Sequence, residues 1–296
     1  MKYRKKTHLL GRLMRAAAPV FPENYFPERT EYRVESEIIP KSFDGFRLVQ
    51  LSDLHGCTSP RNVRLLLELI STAAPDAVVL TGDMADRLDR DYTALFGLFR
   101  TLCQRYPVFF VSGNHEQELI GARRREFYRG MAKQGVRILD SDSVEISRSG
   151  ETIRLYGLRI PLRYYRRGRG KRRPELSAEK IETILGSCGG EYAVLLAHNP
   201  FFFEACAQWG ADLTLSGHVH GGMVRLPYIG GLLSPERRFF PRYSGGMYES
   251  EAAGGRRMIV SRGLGKGARL GNRPEVVSVT LYSRPKPERT TGGADQ

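Results

Sequence analysis

Five apolar runs in this chain end in the same way. Phe46–Leu51 leads through Ser52 into Asp53-Leu54-His55. "AVVLT" (77–81) leads into Gly82-Asp83, and "VFFVS" (108–112) into Gly113-Asn114-His115-Glu116. "AVLLA" (193–197) leads into His198-Asn199, and "DLTLS" (212–216) into Gly217-His218-Val219-His220. Each run has the length and composition of a buried strand. Each is followed by a small residue or directly by side chains that ligate metals or move protons. In open α/β sheets, sites form at the carboxyl ends of the strands. Loops spread from Asp53 to His220 can therefore meet at one place only if their strands lie side by side and point the same way.

The stretches between these runs fit that requirement. "RNVRLLLELISTA" (61–73) carries Val63, Leu66, Leu67 and Ile70 at helical spacing. "DYTALFGLFRTLCQ" (91–104) reads as a helix with Asp91 at its N-cap, and a polar helix is expected over about 117–134. "SAEKIETILG" (177–186) reads as a helix opened by Ser177 and closed by Gly186. Shorter β segments follow the middle helices ("VRIL", "SVEIS", "TIRLYGL"), and "VVSVTLY" (276–282) closes the ordered part. Alternating strands and helices early, with mixed strands late, predict two sheets in one α/β domain over 31–283. Residues 1–30 form a basic leading segment, either an amphipathic helix or disordered, and 284–296 a disordered tail.

Five of the six histidines sit at the five strand ends, and only His8 lies elsewhere. Taken singly, a strand-end histidine is ordinarily a structural residue. Five together, with Asp53 and Asp83 beside them, make a site. The donors are carboxylate, imidazole and one amide, without thiolate. That set suits manganese first, then iron or zinc, rather than calcium or a structural cysteine-bound zinc. The candidates outnumber the ligands of one ion, and two ions sharing a bridging carboxylate would use them all. Cys57, Cys103, Cys188 and Cys206 form no C-x-x-C pair and read as free thiols of a reducing compartment.

The blocks D-x-H, GD-x-x-D, GNH-E, a lone His and GH-x-H, in that order over 47–220, resemble the calcineurin-like metallophosphoesterase superfamily. The resemblance implies an α/β/β/α four-layer sandwich of two mixed sheets flanked by helices. It implies that Asp53, His55 and His220 hold one divalent ion, that Asn114, His198 and His218 hold a second, and that Asp83 bridges them. It implies that His115 faces the scissile phosphate and assists the leaving oxygen, that Asp86 orients His115, and that Arg87 binds phosphate. Gly113 would let the backbone turn, and Glu116 would open the following helix. Downstream, "GHVHGGMVRLPYIGG", "SGGMYE", "MIVSRGLG" and "NRPEVVSVTL" resemble the bacterial YkuE/YaeI-like branch, whose members are often anchored to the membrane or associated with the cell wall.

The expected activity is hydrolysis of a phosphodiester or pyrophosphate bond with metal-activated water, on a lipid-linked or other membrane-associated substrate. The net charge of +14 favours an anionic partner: a phosphate ester, an acidic membrane surface or nucleic acid. "RYYRRGRGKRRP" (163–174) and "LPYIGGLLSPERRFFPRY" (226–243) are the stretches that would select substrate, either at a membrane or, with arginine on phosphates and tyrosine on bases, along nucleic acid. A nuclease or nucleotide phosphodiesterase is the alternative activity, and a metal-stabilised binding scaffold the alternative without catalysis. No segment approaches the roughly 18–20 apolar residues of a membrane span. The expected state is a cytoplasmic monomer with peripheral membrane association.

Overall fold

The computed structural model describes residues 26–165, 174–222, 224–226, 230–233, 242–265 and 269–285. Residues 1–25 of the leading segment and most of the two substrate-selecting stretches lie outside them, as does the tail from 286; the last residues of that segment, from Glu28, are strand rather than amphipathic helix or disorder.

The first sheet contains β1 (Glu28–Ser36), β2 (Arg47–Leu51), β3 (Ala77–Leu80), β4 (Val108–Phe110), β5 (Arg137–Ile138) and the late strand β14 (Glu275–Ser283). Their spatial order is β1-β14-β2-β3-β4-β5. β2, β3, β4 and β5 run parallel, whereas β14 pairs antiparallel with β2 and parallel with β1. The second sheet contains β6 (Asp142–Arg148), β7 (Glu151–Gly157), β8 (Tyr192–Leu196), β9 (Leu213–Ser216), β12 (Gly246–Glu249) and β13 (Arg257–Val260), in the order β12-β13-β9-β8-β7-β6. β7, β8, β9 and β13 are parallel, with an antiparallel strand at each edge. A two-stranded ribbon, β10 (Val224–Leu226) with β11 (Gly230–Leu233), stands apart.

Strand alternation sorts the side chains into layers. Leu48, Val79, Phe109 and Val111 point from the first sheet onto Leu155, Val194, Leu196 and Leu213 of the second. Val49, Leu51, Val78, Leu80 and Phe110 point the other way, onto α1 (Pro60–Ala73), α2 (Thr93–Cys103) and α4 (Gly121–Lys133). Tyr156, Ala193 and Leu195 of the second sheet meet α5 (Ala178–Leu185) and α6 (Phe203–Trp209). The result is the four-layer α/β/β/α sandwich.

Three local readings change. The helix expected over 117–134 is two helices, α3 (Asn114–Glu118) and α4, because Leu119 and Ile120 are extended between them. The α2 N-cap is Tyr92 rather than Asp91, although the Asp91 carboxylate still accepts the first-turn N–H of Thr93 at 2.8 Å. α6, β1 and the strands β10 to β13 carry too few periodic residues to stand out. Ser59 caps α1 by accepting from Asn62 N, with Pro60 at the first helical position, where it loses no hydrogen bond.

Leu48 is fully buried between the sheets. Leu48→Ala should therefore cost about 2–5 kcal/mol in urea-induced unfolding, the range for a large-to-small change in a packed core.

Candidate metal centre

β2, β3 and β4 are neighbours in one sheet, β8 and β9 in the other, and all five run parallel within their sheets. Their carboxyl ends converge at one end of the sandwich. Beyond the last strand residues the loops keep pairing: Asp53 N donates to Gly82 O, His55 N to Asp83 O and Gly56 N to Met84 O, each at 3.0 Å. Two polar stitches cross between the sheets below the site. Gln50 Nε2 donates at 2.8 Å to both Thr81 Oγ1 and Ser216 O. His198 Nδ1 lies 2.6 Å from Thr81 O, which fixes the proton on Nδ1 and leaves Nε2 to face the site.

Six of the expected ligands meet in two triads whose donor atoms lie within 4.8 Å of one another: Asp53, His55 and His220, and Asp83, His198 and His218. A third group, His55, Asp86 and His115, shares His55 with the first. His220 Nε2 is 3.5 Å from Asp53 Oδ1 and 3.3 Å from His55 Nε2. His198 Nε2 is 3.2 Å from Asp83 Oδ2 and 3.9 Å from Asp53 Oδ1. The backbone N–H of His218 holds the Asp53 carboxylate, and that of His115 holds Asp83 Oδ1 at 2.8 Å. His115 Nδ1 lies 3.6 Å from Asp86 Oδ2. The Asn114 Oδ1 atom is buried without a hydrogen-bond partner. Arg87 leans away, its guanidinium 3.3 Å from Glu118 Oε2 and its side chain 59% exposed.

The donor set fits divalent cations. Asp53 and Asp83 are buried carboxylates. Burial opposes their ionisation, yet the facing imidazoles of His220 and His198 hold Asp53, and that of His198 holds Asp83, below the ordinary carboxylate range. Burial pushes His55 down and His220 down to about 3, so both stay neutral, the ligand form of imidazole. His198 is the exception: burial opposes its charge, but Asp83 and Asp53 outweigh burial and raise it to about 10. A proton there occupies the place where the donor set asks for a cation. His55 Nδ1 and His115 Nδ1 are buried without hydrogen-bond partners. Asp53, His55, Asp83, His218 and His220 all have φ between 47° and 72°. That left-handed backbone costs on the order of 1 kcal/mol per residue and concentrates at functional sites.

Several supporting residues gave no signal of their role in the sequence. Glu116, read as a helix opener, is fully buried and accepts four backbone N–H groups: Gly113 and Asp83 on Oε2 at 2.9 Å, Met84 and Ala85 on Oε1 at 2.6 and 3.2 Å. Burial and the Asp83 charge push its carboxyl up to about 7. Gly113 does not turn the chain through left-handed space, since its φ is −88°. It is glycine because a Cβ there would fall on the Asp83 carboxylate; one on Gly82 would lie 2.6 Å from Gly113 N and 2.7 Å from His198 Nδ1. Asn272 Nδ2 donates to His220 O at 2.7 Å and fixes the last ligand loop. Arg269 donates to the carbonyls of Arg262, Gly263 and Gly265, holding the loop that pads Asp53.

The family profile described as calcineurin-like phosphoesterase matches residues 46–222, more than half of the chain and the segment that carries every one of these loops. The chain belongs to the calcineurin-like phosphoesterase family. It is accordingly a phosphoric ester hydrolase, of a family that works with a dinuclear metal site. The uncharacterized metallophosphoesterase YkuE of Bacillus subtilis is 27% identical over 278 residues, 88% of this chain and 87% of that protein. Phosphodiesterase YaeI of Escherichia coli is 26% identical over 246 residues, 80% of this chain and 82% of its own. Among solved structures, TT1561 of Thermus thermophilus superposes with a TM-score of 0.47 at 14% identity, covering 74% of this chain and 90% of that one.

Two measurements test the support of the site. Glu116→Gln puts an amide NH₂ against two backbone N–H donors and should lower unfolding free energy by at least about 2 kcal/mol, with weakened metal retention. In metal-free protein, the His198 proton is held up to about 10 when folded and released near 6.5 when unfolded. Its stabilisation is complete below pH 6.5 and is lost as pH rises through about 10. The melting temperature of metal-free protein should therefore fall between about pH 7 and 9, and saturating Mn²⁺, which takes the Nε2 lone pair, should remove that fall.

Proposed function

We propose that this chain is a dinuclear metal-dependent phosphodiesterase or pyrophosphatase. The observation that carries the reading is the pair of Asp/His triads, Asp53–His55–His220 and Asp83–His198–His218, each fed by both sheets. In this reading Asp53, His55 and His220 would hold one ion, Asn114, His198 and His218 would hold the other, and Asp83 would serve both. Two divalent cations bound there would supply Lewis-acid polarisation of the phosphoryl group and activation of water, with manganese the first choice for the donor set. His115 donates a proton to the leaving oxygen. Its ring is 24% exposed, so a substrate can reach it, and Asp86 beside Nδ1 orients the ring. Arg87 serves the phosphate only by leaving Glu118.

Diester cleavage is supported by the name of YaeI, a phosphodiesterase. A cleft of about 500 Å³ lined by Gln117, Arg124, Arg159, Leu162 and Ile184 supports an ester that carries both anionic and apolar parts, as a lipid-linked substrate does. It backs onto α3, the helix of His115, because Gln117 Nε2 bonds both Gly113 O and Ile160 O. With the net charge of +14 this favours work at an anionic membrane surface, which the proposal assigns to a cytoplasmic monomer. Among the described residues no helix is long and apolar enough to cross a membrane. The same charge favours nucleic acid as the second reading. Residues 31–283 form the catalytic unit in this proposal.

Metal-stripped protein should hydrolyse bis(p-nitrophenyl) phosphate only after Mn²⁺ is added, and Asp83→Ala should abolish both hydrolysis and the second ion. His115→Ala should lower kcat by about 10²–10⁴-fold while two ions per chain remain. Equal loss of metal and turnover would make His115 a ligand. Cleavage of single- or double-stranded DNA or RNA in preference to lipid-linked diesters would select the nuclease reading.

A further inference from the structure

β5 and β7 lie next to the strands that carry the site, β5 beside β4 and β7 beside β8. The chain leaving their carboxyl ends supplies Ser141 on one side and Arg159, Pro161 and Leu162 on the other, and these residues wall the cleft of about 500 Å³. Arg124 from α4 and Ile184 from α5 close its flanks, and Gln117 of α3 lines the side toward the metal centre. Gln117 Nε2 spans that side, from Gly113 O in the loop that carries Asn114 and His115 to Ile160 O beside Arg159. At about 4.8 Å per strand, the cleft stands roughly 5–10 Å from the strand ends that bear the ligands.

The lining holds two guanidinium groups and no carboxylate. Other half-buried arginines are matched by acids: Arg154 by Glu145 and Glu191, and Arg262 by Glu28 and Glu275. Arg159 is half-buried too, yet among the described residues it has no ion pair or hydrogen bond. Arg124 meets only the ring of Tyr128, 5.7 Å from its centroid. Unmatched cations on a concave wall concentrate anions there, and the planar fork of guanidinium suits a phosphate or a carboxylate. Pro161, Leu162 and Ile184 are half-exposed. A bare inorganic anion would leave them wet, whereas hydrocarbon attached to the anion would cover them. The volume falls in the range of small-ligand sites, well beyond what one phosphate fills.

We propose that this cleft is a distal substrate subsite: Arg159 and Arg124 bind a second anionic group of the substrate, and Pro161, Leu162 and Ile184 cover the aliphatic stretch that joins it to the scissile phosphoryl group. This rests on the phosphoester hydrolase reading of the neighbouring centre. It narrows the substrate to an ester with a phosphate or carboxylate roughly 5–10 Å from the phosphorus under attack, across hydrocarbon. A charge-assisted guanidinium contact of this kind is worth about 10–100-fold in affinity.

The test uses Mn²⁺-loaded protein and two chromogenic diesters, hexyl p-nitrophenyl phosphate and 6-carboxyhexyl p-nitrophenyl phosphate, which differ only in the carboxylate at the chain end. The ratio of their kcat/KM values is read within each protein, beside the number of ions per chain. Wild type should favour the carboxylate ester about 10-fold or more, through KM. Arg159→Gln and Arg124→Gln should each lower that ratio, and the double variant should bring it to about one, with the ion count unchanged. A ratio of one in wild type would overturn the proposal, as would a ratio that survives in the double variant. Loss of ions in the variants would overturn it too, by tying the arginines to the metal centre. Should the loaded wild type hydrolyse neither ester, the hydrolase reading fails, and calorimetry with hexyl phosphate judges the cleft alone. Binding weakened about 10-fold in the double variant would keep it as an anion site, and unchanged binding would overturn it.

Discussion

One buried carboxylate sets the geometry of the centre. Glu116 gathers the N–H groups of Gly113, Asp83, Met84 and Ala85, so the loop after β3 and the loop after β4 share a single acceptor. The first loop contains Asp83 and Asp86, and the second Asn114 and His115. Their relative placement thus depends on one side chain three residues into α3. An acid there also suits the helix start, where unpaired N–H groups collect. Burying a carboxylate is costly, and its rise to about 7 records that cost. The four donors offset enough of it to hold the loops, and neutral glutamine could not accept all four.

The second constraint is that the site straddles two sheets. Each sheet alone brings only part of the donor set: β2, β3 and β4 supply the acids with His55 and His115, and β8 and β9 supply His198, His218 and His220. Apolar packing between the sheets does not fix their sliding to a few tenths of an ångström, since it is non-directional. Directional bonds do. Gln50 reaches from β2 to Ser216 at the end of β9, His198 reaches from β8 to Thr81, and Asp53 reaches across to the N–H of His218. Gly82, Gly113 and Gly217 permit the approach, because a Cβ at any of them would meet the opposing loop.

Much of this was legible in sequence because two simple signals coincide. Short apolar runs report buried strands, and ligand-type residues directly after them report a site at the carboxyl ends. Asp53, His55, Asp83, His198, His218 and His220 come together as their strand ends imply, and His115 and Asp86 lie beside them. What was not legible depends on contacts between residues far apart. A glutamate in a helical context looks like an opener; only the fold shows the loop it holds. Asn272 and Arg269 act through backbone carbonyls, so their own neighbours in sequence carry no pattern. Gly113 was assigned to a turn because glycine usually signals one, whereas steric clearance from Asp83 is the cause.

The strained backbone and the unpartnered donors are two sides of one arrangement. Five ligand candidates hold left-handed φ values, which the loops would relax if nothing else required them. The facing Nε2 atoms of His55 and His220 satisfy each other only when one donates its N–H to the lone pair of the other, which leaves neither lone pair free toward the site. His198 keeps a proton between two carboxylates for want of a larger charge. A pair of cations would resolve all three at once: it would accept the imidazole lone pairs, replace the His198 proton and offset the strain of the loops with coordination bonds. Metal binding and the stability of this end of the sandwich should therefore be the same free energy measured in two ways. A structural role for these residues without cations would leave the strain, the buried charge and the orphaned nitrogens uncompensated together.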